Sequence, residues 1–177
     1  MQVEIVKRLI LLLFIFVSFS TKGQINVIFM SDIPPLHVPI IYKHLQIYSK
    51  AHLPDTVRFL GYTRFHNLEC GDVLFYLGQI RKFPGKFLLV TYRVLTYQCT
   101  DDWVDGFTID DKSIITLYNC GTITRLSKLA MHELGHSFGL DHCINKGCFM
   151  ESGGFDNNML YDKENKFCNK CRKLLKK

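Results

Sequence analysis

The chain lacks any Lys/Arg block interleaved with aromatics, so its formal net charge of +6 carries no nucleic-acid inference. It lacks internal repeats and a Pro-, Gly- or Ser-rich linker, which leaves no place for a second domain in 177 residues. The unbroken apolar run Leu9–Val17 falls well short of the roughly 20 residues that cross a bilayer, and no cysteine follows it to carry a lipid. The aspartates at 101, 102, 105, 110 and 111 lack the order of an EF-hand loop and are expected to form a solvated acidic turn. His37, His44, His52 and His66 share no ligand spacing and are expected to be structural or solvated. What remains is 47% apolar and 21% charged, the balance of a globular domain with an adequate core.

Residues 1–23 have the three parts of a secretory signal peptide: Lys7 and Arg8, the apolar run, and small residues to Gly23. Removing them would leave a mature domain of residues 24–177 with a net charge of about +4. The location expected is therefore secreted or periplasmic, with a cytoplasmic protein whose first segment is a buried strand as the alternative.

Strands are expected at Ile25–Met30, Thr56–Tyr62, Lys86–Tyr97 and Lys112–Tyr118, where β-branched and aromatic residues gather. Helical periodicity marks Val38–Ala51, with Pro39 in its first turn, and Asp72–Phe83, stopped by Pro84 and Gly85. Thr100–Gly106 reads as a polar loop. Thr122 or Thr124 caps a final helix through the 130s. Strands followed by helix give an α+β class.

That last helix carries His-Glu-Leu-Gly-His-Ser-Phe-Gly-Leu-Asp-His over residues 132–142. His132 and His136, four apart, share one helix face and can grip one ion. Glu133 stands beside that ion, where a carboxylate can take a proton from an attacking water. Gly139 ends the helix, because glycine enters the left-handed region without a Cβ penalty. The returning chain brings His142 as a third ligand, and three protein ligands with one open position describe a catalytic zinc. Leu126, Leu129, Ala130, Leu134 and Phe138 would make a core stripe in any buried helix, but core packing requires none of Glu133, Gly139 or His142. The pattern is the metzincin signature.

Cys143, Cys148, Cys168 and Cys171 follow, with Met150 two places after the second. Two short-spaced cysteine pairs suit a closed tetrahedral thiolate site over residues 143–171, and two disulfides or four free thiols are the alternatives. In this spacing the segment from about Leu126 to Leu174 resembles the archaemetzincins. The resemblance implies a metzincin-like zincin with a mixed sheet, an active-site helix and a short zinc-stapled carboxy-terminal segment. It implies that His132, His136 and His142 bind a catalytic zinc, that Glu133 is the general base, and that the four cysteines bind a structural zinc with Met150 beneath the site.

The expected protein is a monomeric zinc peptidase acting on peptides or proteins, with no stable membrane insertion after signal cleavage. The rival is a zinc-folded peptide-binding module whose catalysis is weak or vestigial; an intact Glu133 argues against it. Some metzincins place a tyrosine two residues after the methionine; Ser152 stands there instead, and Tyr161 is a candidate second oxyanion donor by proximity alone. Either Phe107–Ile109 or Ile114–Tyr118 is the expected edge for a peptide. Cys70, Cys99 and Cys120 are left over, with one pair bridged and one thiol free as the expectation.

Overall fold

The structure, a computed structural model, describes residues 23–65, 70–118, 120–151 and 165–176. The expected signal segment, apart from Gly23, lies outside the described residues, as do His66, Ser152 and Tyr161.

Five strands form the main sheet: β1 (Gln24–Met30), β2 (Thr56–Thr63), β3 (Lys86–Thr91), β6 (Gly106–Ile109) and β7 (Lys112–Thr116). Their order is β2-β1-β3-β7-β6, parallel except for β6, which runs antiparallel to β7 at one edge. The side-chain period of two divides each strand between two cores. On one face Val27, Phe29, Leu88, Val90 and Ile115 meet helices α1 (Val38–His52) and α3 (Ile123–Ser137). On the other, Ile28, Met30, Phe87, Leu89 and Ile114 meet α2 (Val73–Ile80). A sheet covered on both faces needs near-continuous apolar strands, and β3 and β7 are buried at almost every position. A fourth helix, α4 (Asn169–Leu175), closes the carboxy terminus.

The helices begin and end for local reasons. The Thr122 hydroxyl accepts from the Arg125 amide at 3.1 Å and the Asp72 carboxylate from Leu74 at 3.0 Å, each quenching an amide that its helix leaves unbonded. Pro39 sits in the first turn of α1, where its missing N–H costs nothing.

Three expectations are corrected. The strand expected over Lys86–Tyr97 breaks after Thr91, because the Asp32 carboxylate takes the Thr91 hydroxyl at 2.5 Å and the Tyr92 amide at 3.1 Å, turning the chain out of the ladder. The chain resumes as β4 (Leu95–Thr96), paired antiparallel with β5 (Trp103–Val104), so the expected polar loop contains a strand. Ile114–Tyr118 is no edge: β7 lies between β3 and β6. Cys70 and Cys99 are bridged, while Cys120 is a buried free thiol. No helix among the described residues is long and apolar enough to cross a membrane.

Candidate active site

Helix α3 packs its apolar face on the sheet and turns its carboxy-terminal half to a cleft of about 820 Å³, lined among others by His132, Glu133, His136, His142, Gly106 and Thr108. The helix stops as its sequence requires. Gly139 is left-handed at φ +78°, its amide bonds the His136 carbonyl at 2.8 Å, and the Leu140 amide bonds the Gly135 carbonyl at 3.0 Å. This pair of bonds is a Schellman closure. It reverses the chain so that His142 returns to the two helical histidines.

The three Nε2 atoms converge, with His136 to His132 at 3.2 Å, His136 to His142 at 3.2 Å, and His142 to His132 at 3.3 Å. Tetrahedral ligands at the zinc–imidazole distance of about 2.0–2.1 Å stand about 3.3–3.4 Å apart, so the residues fit the ion. Two rings are locked from behind. His132 Nδ1 lies 2.6 Å from the Phe149 carbonyl and His136 Nδ1 lies 2.8 Å from the Leu140 carbonyl. A carbonyl only accepts, so each Nδ1 carries the proton and each Nε2 presents its lone pair forward. Burial lowers the His132 pKa to about 4, overcoming the Phe149 bond, and lowers that of His136 as well. Both rings are therefore neutral, as a ligand must be.

Glu133 lies alongside, 5% exposed. Burial raises its pKa to about 7, against a hydrogen bond from Thr108 that opposes the rise. That bond, Thr108 Oγ1 to Glu133 Oε2, is 2.6 Å. Gly106 flanks the same carboxylate: a Cβ there would stand 2.8 Å from Glu133 Oε1.

The second cluster adjoins the first, and its Cys148 lines the same cleft. Cys143, Cys148, Cys168 and Cys171 are free thiols whose sulfurs lie within 4.8 Å of one another. Cys148 and Cys171 stand at 3.8 Å, the edge of a tetrahedron at the zinc–thiolate distance of about 2.3 Å. The Cys148 sulfur also faces the amides of Met150 at 3.5 Å and Cys168 at 3.4 Å, donors that suit a thiolate. Met150 is fully buried, and a Cβ on Gly135 would meet its sulfur at 2.3 Å, so the methionine lies directly under the site helix.

The structure thus gathers every residue expected to bind metal into two groups. Among the described residues no third group of potential ligands forms; His37 instead bonds the Tyr92 hydroxyl at 2.9 Å, and His52 packs edge-on against Phe149. Sequence reasoning missed Thr108, Gly106 and the carbonyls of Phe149 and Leu140. No signal in the sequence pointed at the first two, because Gly106 stood in the expected polar loop and its shared face with Thr108 follows only from β6.

The pattern defining peptidase family M54 matches residues 72–177. The archaemetzincin of Saccharolobus solfataricus is 31% identical over 143 residues, covering 71% of this chain and 76% of that protein. The crystal structure of the archaemetzincin from Methanopyrus kandleri superposes with a TM-score of 0.70 at 19% identity, over 89% of this chain and 97% of that one. That of a zinc-dependent peptidase from Methanocorpusculum labreanum gives 0.64 at 23%, over 85% and 99%.

Proposed function

The chain belongs to peptidase family M54, and on that ground we propose that it hydrolyses peptide bonds with zinc at the three imidazoles and Glu133 as the general base. The observation that carries this reading is the convergence of three Nε2 atoms at 3.2–3.3 Å beside a buried carboxylate in an open cleft. Held by His132, His136 and His142, zinc would supply Lewis acidity, lowering the pKa of a water to about 7 and polarising the scissile carbonyl. The work of the chain's own residues follows. Glu133 takes the proton of the attacking water and passes it to the leaving amine. The Nδ1–H bonds of His132 and His136 hold the rings in one tautomer throughout. Among the described residues strand β6 is the sheet edge beside the cleft, and its outer side suits main-chain pairing with an extended peptide.

The four cysteines would hold a second, structural zinc that fastens the segment around Met150 to α4. Export after removal of residues 1–23 completes the proposal; the Cys70–Cys99 bridge suits an oxidising compartment. Zinc loaded early would protect the other thiolates there.

The test is Glu133→Gln in purified, zinc-loaded protein. Hydrolysis of a mixed peptide library should vanish while zinc content stays at two per chain. A wild type with full zinc and no hydrolysis of any peptide would overturn the enzymatic reading. One zinc per chain with no titratable thiols at 143, 148, 168 and 171 would overturn the second site.

A further inference from the structure

Strand β6 does more than border the cleft. Gly106 and Thr108 lie two apart, so they face the same side, and both meet Glu133. Gly106 leaves the space that the carboxylate occupies, since a Cβ would approach Glu133 Cγ and Oε1 to 2.8 Å. Thr108 places a hydroxyl 2.6 Å from Oε2. Among the described residues this is the one side-chain hydrogen bond to that buried carboxylate.

We propose that Thr108 is a positioning residue for Glu133, its hydroxyl holding Oε2 so that Oε1 faces the reacting water. The inference rests on the reading of Glu133 as general base. A threonine hydroxyl has one proton and two acceptor lone pairs. With the proton given to Oε2, the lone pairs are open to the Ser113 hydroxyl at 3.0 Å, which stands on the directly opposite residue of β7. The β6–β7 hairpin therefore fixes the hydroxyl from behind. The Glu133 main-chain oxygen lies 3.0 Å from the same hydroxyl and gives its proton a second acceptor by rotation of the O–H about the Cβ–Oγ1 bond. Thr108 can thus follow Glu133 through the gain and loss of a proton without itself gaining or losing one. A buried carboxylate without such a partner is free to swing away from the water, and catalysis is sensitive to that displacement.

The experiment compares Thr108→Val, which keeps the shape and the strand preference but removes the hydroxyl, with Thr108→Ser, which keeps the hydroxyl. In the zinc-loaded protein Val should lower kcat about 10- to 100-fold at unchanged KM and zinc content, while Ser stays within about threefold of wild type. Independently of turnover, isotope-edited infrared spectra should show the Glu133 carboxylate stretch, identified by its loss in Glu133→Gln, displaced in Val and restored in Ser. Should Val not fold, Ser113→Ala, which leaves the threonine hydroxyl but removes its orienting partner, should give an intermediate kcat and an intermediate band. A Val variant with wild-type kcat and an unmoved band overturns the proposal while the peptidase reading stands. A wild type inactive on every peptide, with the band still displaced in Val, supports the Thr108 contact and removes the general-base reading instead.

Discussion

The ring of His132 donates from Nδ1 to the carbonyl of Phe149 at 2.6 Å, and Phe149 is the residue between Cys148 and Met150. One peptide unit therefore connects the two clusters. Its position is set by the Phe149 amide, which bonds the Lys166 carbonyl at 3.2 Å, and by Cys143, whose amide bonds the Met150 carbonyl at 2.6 Å. The cysteine cluster is in this sense the outer support of the histidine cluster.

Cys171→Ser should accordingly do more than empty its own site. Zinc content should fall by one per chain, and the affinity of the remaining ion should weaken about tenfold, since the partner orienting His132 loses its anchor. Chelator competition measures this. An unchanged affinity of the remaining zinc would show that Phe149 is held without the thiolates.

Much of this was legible in the sequence, and the limits have physical causes. The 132–142 stretch specifies its own geometry, because the helix period sets His132 beside His136 and the left-handed Gly139 returns His142. The supporting carbonyls of Phe149 and Leu140 leave no trace, since every residue has a carbonyl. Thr108 was hidden for a different reason: a threonine in a strand is ordinary, and its role appears only once β6 is known to lie against α3. The break at Thr91 depends on Asp32, far away in sequence, so an apolar run alone predicts a longer strand than forms. On α1 the periodicity marked the helix that forms, while which isoleucines face inward follows from packing: Ile41 and Leu45 are buried, and Ile40 and Ile47 face solvent.

Gly135→Ala tests the packing beneath the site. Alanine favours a helix interior over glycine by about 1 kcal/mol. The new Cβ, however, would stand 2.3 Å from the Met150 sulfur and 3.1 Å from the Phe167 ring, both fully buried. Overpacking of this kind costs about 1–3 kcal/mol, so the net change should be destabilising by about 1 kcal/mol. Urea unfolding of the zinc-loaded protein measures it. In a Met150→Ala background, where the clash is gone, the same glycine substitution should cost less or turn stabilising, giving a double-mutant cycle that is clearly non-additive.

His52, which belongs to neither set of ligands, gives a separate pH dependence. Burial lowers its pKa from 6.5, with Arg172 adding to the effect, while its ring packs edge-on against Phe149 at 5.0 Å. The folded chain then binds fewer protons than the unfolded chain as pH drops below 6.5, so this contribution to stability is complete above that value and is lost on acidification. His52→Phe keeps an aromatic ring without the titration. Its urea midpoint should fall less than that of wild type between about pH 7.5 and pH 5.5. Parallel slopes would remove His52 as a contributor.

The cysteines supply a chemical test of which of them hold metal. Cys120 is 3% exposed and burial pushes its pKa up to about 12, with Asp105 adding to the rise. At pH 8 its thiolate is about one part in ten thousand, so it should resist alkylation until the chain unfolds. Cys70 and Cys99 should react only after reduction. In the zinc-loaded protein Cys143, Cys148, Cys168 and Cys171 should also be silent, because a coordinated thiolate has its lone pair engaged. Chelation should then expose one of the four first. Burial tends to raise the Cys168 pKa, but hydrogen bonds from the Cys171 amide, the Asn145 side chain and the neighbouring thiols outweigh it and hold the value at about 6. Cys168 is also the least buried of the group. Mass-mapped alkylation at pH 7 should therefore label Cys168 ahead of the other three within minutes of adding chelator. If all four stay unlabelled after chelation and become reactive only with a reductant, they are paired as disulfides, and the thiolate site is lost from the account while the histidine site is untouched.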